Sequence, residues 1–443
     1  MAGEIMSRKQ LINAINVRIG SKKLIWLGTR GQDAQPLLEL ERFEEVYSVV
    51  APLKSLSIRQ EHCLEEMCGR RPNLDNYTLD DDFSSHAMAL RQLIHQSLGE
   101  PSCLAVYRPL HLLSAVCYPR SEYVTYLGLF SERYAPFEHK PWVETELRRF
   151  GVPVIPWKYY ADDHFSLLQE DLNARNELVL RASRTDGGFG ISRVSRHENI
   201  RDKLPLHSDG FFAAAPVMLP HIPLNVGACL FPNGDITIHG PSVQLIGLSG
   251  CTNRPFGYCG NDFSAFSLLD PSQQKELERV VRMTGQWLST QGYLGAFGLD
   301  AMLYQGHIFV VEINPRFQGS SRQSAIIDKQ LDRPDIYLCH LAAHLGINPP
   351  IIQSMSKNYL QDLNRSHIII HNTEDRDIHP SLTSLVSRGL DRVELFPSEG
   401  VAVAPEAIVC RVVRQGSVTM DGWTLNQETK TLIENTISSY INY

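Results

Sequence analysis

The sequence predicts a multidomain protein of mixed α/β and α+β class, and three observations lead to this prediction. The 443 residues exceed what one hydrophobic core usually organises. The chain opens with a β-α-β pattern, and a strand-rich region begins near residue 211. We expect an N-terminal domain (1–135), a middle domain (136–348) and a small α+β C-terminal extension (349–443).

The first domain is predicted to be Rossmann-like. An apolar strand over residues 22–28 ends at a glycine, and a second strand over 45–50 follows a helical stretch. Residues 28–31 lack the full G-x-G-x-x-G spacing that brings backbone amides against a pyrophosphate. We therefore expect a scaffold rather than a nicotinamide site. Further strands over 104–107 and 123–128 complete the domain.

The middle region begins with a helix and leads into a sheet. Residues 141–150 are predicted to be helical, because Pro141 is tolerated in the first turn and Gly151 ends the helix. A strand over 177–182 runs into a group of glycines. Residues 211–248 are strand-like, with Pro and Gly at the turns, which favours an antiparallel sheet.

The last part of the chain contains helices and strands without a motif of known chemistry. Asp270 is predicted to cap a helix that has Pro271 in its first turn and ends at Gly292. From residue 350 onward we expect a separate region. Its predicted elements are strands over 368–370 and 408–413 and a final helix from about Gln427.

Composition and charge exclude several classes of protein. The formal net charge of -7 argues against a general binder of nucleic acid, which needs an excess of Lys and Arg. Nine cysteines without a C-x-x-C pair indicate reduced, buried thiols rather than a zinc or redox site. The N-terminus lacks a signal-peptide pattern, and no apolar segment approaches the roughly 20 residues that span a bilayer. We expect a cytoplasmic protein that makes no membrane contact.

Two predicted strands of the middle domain carry acidic and amide side chains. Residues 307–314 form a strand by composition, and its period of two places Glu312 and Asn314 on one face. Residues 296–303 form the partner strand, which carries Asp300. We call this pair the acidic hairpin.

The length of the connecting loop decides whether the carboxylates of the acidic hairpin meet. A three-residue loop, Tyr304 to Gly306, is predicted, with glycine at the position of positive φ. Leu303 then faces His307, and Asp300 faces Val310, within diagonal reach of Glu312. A two-residue loop would break this arrangement.

The side chains of the acidic hairpin are those that a magnesium ion prefers. Asp300, Glu312 and Asn314 offer three oxygen donors, whereas zinc would want His or Cys. Arg316 could hold a transferring phosphoryl group or an acyl phosphate through its planar fork. Taken alone, the hairpin favours a simple ion pair between Glu312 and Arg316 at a strand end over a metal site.

A glycine-rich loop lies between two strand-like runs and is flanked by arginines, including Arg181. Gly187, Gly188 and Gly190 would let backbone amides approach phosphates, because no side chain stands in the way. The loop lacks the Gly-Lys-Ser/Thr ending of a Walker motif. By itself it predicts only a flexible hairpin.

The order of these features resembles the ATP-grasp superfamily, from residue 1 to about 345. Three motifs carry the resemblance: Lys140 before a helix ending in Phe150-Gly151-Val152-Pro153-Val154, Arg181 before Gly187-Gly188-Phe189-Gly190, and Asp300 followed by Glu312-Ile313-Asn314-Pro315-Arg316. The resemblance implies an ATP-grasp fold behind a Rossmann-like N-terminal domain. It also implies that the middle domain has two lobes, about 136–214 and 215–348, and that ATP binds between them with Mg2+, or with Mn2+ in its place.

The resemblance further implies a role for each motif. Phosphates would be contacted by Lys140 and Arg181 and covered by Gly187, Gly188 and Gly190, while the adenine would meet Met218 and Leu219. The metal would be held by Asp300, Glu312 and Asn314. Arg316 would steady an acyl phosphate, and Arg322 would bind the substrate carboxylate. For Arg322 the alternative is an exposed surface arginine. The chain departs from the family twice: Arg181 replaces the usual lysine, and residues 215–219 lack the usual acidic ribose ligand.

Within the superfamily the chain looks most like amino-acid and peptide ligases of natural-product pathways, such as pheganomycin-type peptide ligases and butirosin-type carrier-protein ligases. Arg181, the glycine loop, Gln244 and the C-terminal extension carry this likeness. It implies an amino-acid or peptide carboxylate and an amine acceptor as partners. Residues 250–260 are rich in glycine and aromatic residues and could close over the acceptor. Transfer to a carrier-protein thiol, a nucleotide-binding protein without turnover, and a homodimer stay open.

Overall fold

The computed structural model describes residues 6–441, with the exception of 162–163, 184–186, 205–209, 351–354, 356, 382–391 and 423. A parallel sheet, a small antiparallel sheet and a large antiparallel sheet are packed with helices. The mixed α/β and α+β class expected from the sequence is confirmed. Among the helices of these described ranges, none has the length and apolar character needed to cross a membrane.

The N-terminal region is built on a parallel sheet. Its elements are α1 (Arg8–Ile19), β1 (Lys23–Arg30), β2 (Phe43–Val50), β3 (Gln60–Cys63), α2 (Leu64–Cys68), β4 (Arg70–Arg71), α3 (Ser85–Ser97), β5 (Ser102–Val106), α4 (His111–Cys117), β6 (Val124–Leu127) and α5 (Ser131–Glu138). The sheet order is β3-β2-β1-β5-β6. After β1 the chain adds β2 and β3 on one side of the strand, and it later adds β5 and β6 on the other side. The carboxyl ends of β1 and β5 therefore flank a crevice of the kind that binds ligands in open α/β sheets.

A small lobe follows, and its sheet carries the glycine loop. Its elements are α6 (Lys140–Arg149), β7 (Lys158–Ala161), α7 (Phe165–Arg175), β8 (Glu177–Ala182), β9 (Ile191–Ser195) and β10 (Phe211–Pro216). The strands are antiparallel in the order β7-β10-β8-β9. Leu168 and Leu172 of α7 pack against apolar side chains of this sheet, which fixes the hairpin of β8 and β9.

The large sheet contains the acidic hairpin. Its region comprises β11 (His221–Leu230), β12 (Ile236–Ile246), β13 (Tyr258–Asp262), α8 (Pro271–Thr290), β14 (Gly295–Tyr304), β15 (His307–Asn314), α9 (Ser321–Gln330) and α10 (Ile336–His344). The predicted cap of α8 is confirmed: Asp270 accepts hydrogen bonds from the backbone of Ser272 and Gln273. Leu277, Val280 and other apolar residues of α8 pack against the sheet.

The C-terminal extension shares a sheet with the middle domain, so the expectation that it forms a separate region is wrong. Its elements are α11 (Lys357–Gln361), β16 (Ser366–His371), β17 (Arg392–Glu394), β18 (Ala402–Val403), β19 (Ile408–Arg414) and α12 (Gln427–Ile441). β16 pairs with β13, so eight strands form one sheet in the order β15-β14-β11-β12-β13-β16-β19-β17. β18 pairs with β4 of the N-terminal region. Pairing between segments far apart in the chain leaves no trace in a local pattern.

Candidate active site

The acidic hairpin turns more tightly than predicted, yet it brings the carboxylates together. Tyr304 pairs with His307, so the loop has two residues, Gln305 and Gly306, with φ of 50° and 80°. Positive φ at both central residues suits the right-handed twist of a hairpin. The predicted three-residue loop and the pairing of Leu303 with His307 are therefore wrong.

A β-bulge restores the arrangement that the shorter loop would have broken. The register shifts between Asp300 and Ala301, so that Ala301 pairs with Val310 and Asp300 pairs with Glu312. Val311 is the extra residue, and such a residue changes which side chains share a face. Asp300 thus lies directly opposite Glu312 rather than opposite Val310 as predicted.

Asp300 is surrounded by amide donors. Four side chains donate hydrogen bonds to its carboxylate: Asn225 at 2.7 Å, Gln244 at 2.9 Å, Asn314 at 3.0 Å and Gln318 at 3.2 Å. Burial, followed by the neighbouring charge of Glu312, raises the pKa of Asp300 to about 6. The negative charge of Glu312 opposes ionisation of Asp300, and a cation between the two carboxylates would remove this repulsion.

Lys140 rather than Arg316 is the ion-pair partner of Glu312. The Lys140 Nζ lies 2.6 Å from a Glu312 oxygen, and the lysine is 6% exposed in the first turn of α6. Arg316 instead places its Nε 3.7 Å from Glu138. The simple pairing of Glu312 with Arg316 is thus wrong, and the lysine predicted to contact phosphates lies at the carboxylate cluster.

The oxygen donors fit a magnesium ion. Asp300, Glu312 and Asn314 meet on adjacent strands, and the Asn314 amide nitrogen bonds to Asp300, which leaves its oxygen for a metal. In the described part of the chain, His, Cys, Asp and Glu do not gather in threes at a metal-binding distance. Two carboxylates and one amide are few ligands, as magnesium commonly has when phosphates and water complete its shell.

Arg181 lies on β8 of the small lobe and is held on two sides. Its Nη2 donates to Glu144 at 2.7 Å, and its guanidinium stacks over the Trp157 ring at 4.1 Å. Burial raises the pKa of Glu144, and the charge of Arg181 opposes this shift. Arg181 is 2% exposed, so a bound phosphate would have to compete with Glu144 for it.

The segment predicted to meet adenine borders an apolar cleft. Met218 packs against a cluster that joins the two lobes: Ile155, Trp157, Val179, Ala213, Ala215, Met302, Phe309 and Val311. Leu219, the next residue in the chain, is 53% exposed. Side chains of β14 and β15 line the cleft, which places it beside Glu312.

One cavity of about 240 Å³ brings together half of the predicted site residues, namely Gly187, Gly188, Asp300, Glu312, Asn314 and Arg316. It is lined by Thr29, Arg30, Leu74, Asp75, Tyr107, Arg108, Gly187, Gly188, Ile191, Asn225, Gln244, Ile246, Phe256, Tyr258, Asp300, Val311, Glu312, Asn314, Arg316, Gln318, Gly319, Ser320, Ile369, His371 and Ile408. The N-terminal domain, both lobes and the C-terminal extension therefore all contribute to it. Gly190 belongs to the same loop and has a φ of 63°.

Arg322 lies outside this lining. It is 2% exposed and forms short hydrogen bonds to Glu394 and Gln35, so it is not the exposed arginine that stood as the alternative. These bonds tie α9 to the C-terminal extension and to the N-terminal domain. They occupy the guanidinium that was predicted to bind a substrate carboxylate.

Several cavity residues were not predicted from the sequence. Arg30 ends β1, and Tyr107 and Arg108 follow β5, so all three lie at the carboxyl ends that flank the crevice of the parallel sheet. The rule that ligands bind at this point would have found them. Asn225 and Gln318 carry no local signal, because their role depends on the distant Asp300.

Comparison with known proteins agrees with this geometry. Residues 233–320 match the model of the ATP-grasp domain, a span that includes the acidic hairpin and Arg316. The arginine-specific large chain of carbamoyl phosphate synthase from Halalkalibacterium halodurans is 24% identical over 212 residues, which are 46% of this chain and 19% of that protein. The chain thus matches only about a fifth of the length of this relative.

Two solved structures share the architecture over most of both chains. The biotin carboxylase domain of Hydrogenobacter thermophilus 2-oxoglutarate carboxylase, in complex with MgADP, ADP and bicarbonate, has a TM-score of 0.62 at 15% identity, covering 89% of this chain and 86% of that one. L-amino acid ligase from Bacillus licheniformis has a TM-score of 0.58 at 12% identity, covering 94% and 98%. The chain therefore has the ATP-grasp fold, with an ATP-grasp domain matched over residues 233–320.

Proposed function

We propose that this protein is an ATP-dependent carboxylate–amine ligase. The observation that carries the proposal is the oxygen cluster of Asp300, Glu312 and Asn314, which faces the cavity beside Lys140. A basic residue, a magnesium donor set and an arginine suit phosphoryl transfer, in which the protein mainly positions groups and neutralises charge. A nucleophile with an attached base is not required for this chemistry.

In this proposal each residue of the cluster has a distinct task. Asp300, Glu312 and Asn314 would hold Mg2+, which supplies neutralisation of charge on the phosphates. Lys140, which pairs with Glu312 at 2.6 Å from the first turn of α6, would contact the same phosphates. Arg316, which also lines the cavity, would steady the acyl phosphate with its planar fork.

The proposed reaction has two steps. A substrate carboxylate oxygen attacks the γ-phosphorus of ATP, and the bond from that phosphorus to the ADP oxygen breaks. An amine then attacks the acyl carbon, the bond to the phosphate oxygen breaks, and the amine loses a proton. The products are an amide, ADP and phosphate, and no covalent bond to the protein is formed.

The nucleotide is proposed to bind in the cleft between the lobes. The apolar cluster around Met218 offers a surface for the adenine, and the neighbouring Leu219 would contact the adenine from an exposed position. Arg181 supplies a positive charge in this cleft, and Gly187, Gly188 and Gly190 would cover the phosphates. Arg322 is left out of the proposal, because Glu394 and Gln35 bind its guanidinium.

An amino acid or short peptide is the proposed source of the carboxylate. The cavity wall beyond the oxygen cluster combines apolar side chains, such as Ile246 and Ile369, with charged ones, such as Asp75 and Arg108. Such a mixed wall suits a substrate that carries both an apolar part and charged groups. The likeness to an L-amino acid ligase supports this choice through the fold alone.

A phosphate-release screen tests the proposed function. Amino acids and short peptides are offered in pairs with Mg-ATP, and active mixtures are examined by mass spectrometry for an amide. We expect ADP and phosphate only when a carboxylate and an amine are both present. Nucleotide binding without turnover across the panel would instead support a binding protein, and a mass increase on a carrier protein would support transfer to a thiol.

A further inference from the structure

The loop between β12 and β13 folds back on itself and is well braced. The Gly247 amide donates to the Gly257 carbonyl at 2.8 Å, and the Gly257 amide donates to the Arg254 carbonyl at 2.9 Å. The Arg254 amide donates to the Thr252 hydroxyl at 3.2 Å. We call residues 247–257 the brace loop. Its own hydrogen bonds fix the backbone from which Arg254 projects.

The side chain of Arg254 connects the brace loop to the N-terminal domain and the glycine loop, and its Nε also lies 3.9 Å from Glu406 of the C-terminal extension. Its Nη1 lies 2.7 Å from an oxygen of Asp75 in the N-terminal domain, and it donates to the Gly187 carbonyl at 2.6 Å. The guanidinium also lies over the Phe189 ring at 4.5 Å. Its side chain is only 9% exposed. One side chain thus joins the brace loop, the N-terminal domain and the glycine loop.

The backbone of the glycine loop approaches the brace loop as closely as a glycine permits. A Cβ placed on Gly188 would lie 2.1 Å from the Phe256 carbonyl oxygen, and Gly188 has a φ of 83°. Both facts require glycine at this position. The close contact between Gly188 and Phe256 thus exists only in this arrangement of the two loops, and the bonds of Arg254 hold the same two loops together.

From these contacts we infer that Arg254 is a positioning residue that holds the glycine loop closed over the cavity. Its kinetic consequence rests on the proposed function. An acyl phosphate in the cavity reacts either with the amine or with water, and water returns the carboxylate and phosphate while one ATP is lost. A loop held closed excludes water and favours the amine.

Hydrogen–deuterium exchange tests the inference without any knowledge of the substrate. We expect Arg254→Ala to accelerate exchange in peptides from residues 187–195 by about fivefold, the effect of losing roughly 1 kcal/mol from the closed state. Asp75→Asn, which removes the charge and keeps the shape, should act in the same direction. The Asn variant decides the question if the Ala variant does not fold.

Arg70→Ala is the matched control. Arg70 pairs with Asp377 at 2.7 Å and so joins the N-terminal domain to the C-terminal extension without touching the glycine loop. It should leave exchange in residues 187–195 at the wild-type rate. Equal exchange in wild type, Arg254→Ala and Asp75→Asn would overturn the inference.

A second measurement concerns coupling and uses substrates found in the phosphate-release screen. Arg254→Ala should raise the ADP formed per amide, and Arg254→Lys should restore the ratio in part, because an ammonium keeps the charge and loses the fork. An unchanged ratio of ADP to amide in Arg254→Ala would overturn the inference that the closed loop protects the acyl phosphate from water. If the wild-type protein forms no amide, the proposed function fails, while the exchange result still decides the role of Arg254.

Discussion

Asp300 and Glu312 lie directly opposite each other across β14 and β15, and the β-bulge at Val311 is the cause. From the pairing of Tyr304 with His307, a regular ladder would place Val311 opposite Asp300. Glu312 would then point to the other face of the sheet. The extra residue turns Glu312 toward Asp300, and the carboxylates that would bind a metal depend on it.

Replacing Glu312 tests the proposed metal site. Glu312→Ala should lower magnesium-dependent ADP formation by about 100-fold or more, because a ligand of the metal ion that neutralises the transferring phosphate is lost. Steady-state ADP release measures this, and circular dichroism checks the fold. Glu312→Gln keeps the contact with Lys140 and should also be inactive, whereas Glu276→Ala on the surface of α8 should be fully active. Wild-type turnover in Glu312→Ala would refute the metal assignment.

Arg322 is expected to matter for stability rather than for substrate binding. Arg322→Met leaves Glu394 buried without its closest cation, so the free energy of unfolding should fall by about 3 kcal/mol in urea titrations. The double variant with Glu394→Gln should recover part of this loss, since the uncompensated charge is gone. In the folded variant, KM for the carboxylate should stay unchanged. A large rise in that KM with normal stability would restore the role first predicted for Arg322.

Local patterns predicted the elements well and their partners less well. The strand over 307–314 and the helix that begins at Pro271 follow from periodicity and capping, which act over a few residues. The bulge at Val311 is invisible in the sequence, since one extra residue in a strand leaves the composition unchanged. The partners Lys140 and Glu312 are 172 positions apart, and only the fold brings them together. The same holds for Arg254.

The stability of the protein should fall in mild acid, in part because of His340. This residue receives a hydrogen bond from the Ala296 amide at 3.0 Å, and its Nε2 lies 3.0 Å from the Leu127 carbonyl. Burial lowers the pKa of His340 to about 4 from an ordinary value of 6.5. His340 therefore binds a proton more readily in the unfolded chain than in the folded one. The stability that comes from the neutral imidazole is fully present above pH 6.5 and is lost as the pH falls toward 4.

Urea unfolding at pH 5 and pH 7.5 measures the effect of His340. Complete protonation of His340 should lower the free energy of unfolding by about 3 kcal/mol. The part of this loss that falls between pH 7.5 and pH 5 should be absent from His340→Gln. His86→Gln, at an exposed position on α3, should keep the wild-type dependence. An undiminished pH dependence in His340→Gln would assign the effect to other groups.

Deletion of Val311 separates the bulge from the side chain that forms it. Removing this residue restores a regular ladder, so Glu312 would be drawn away from the face of Asp300 or the strand would shift its register. We expect ADP formation to fall by about 100-fold or more, as for loss of the carboxylate itself. Val311→Ala keeps the residue count and should retain most activity, although it trims the apolar cleft. ADP release measures the activity of both variants, and thermal unfolding shows whether each of them is folded. If the deletion variant folds and turns over ATP normally, the bulge does not set the geometry of the carboxylates.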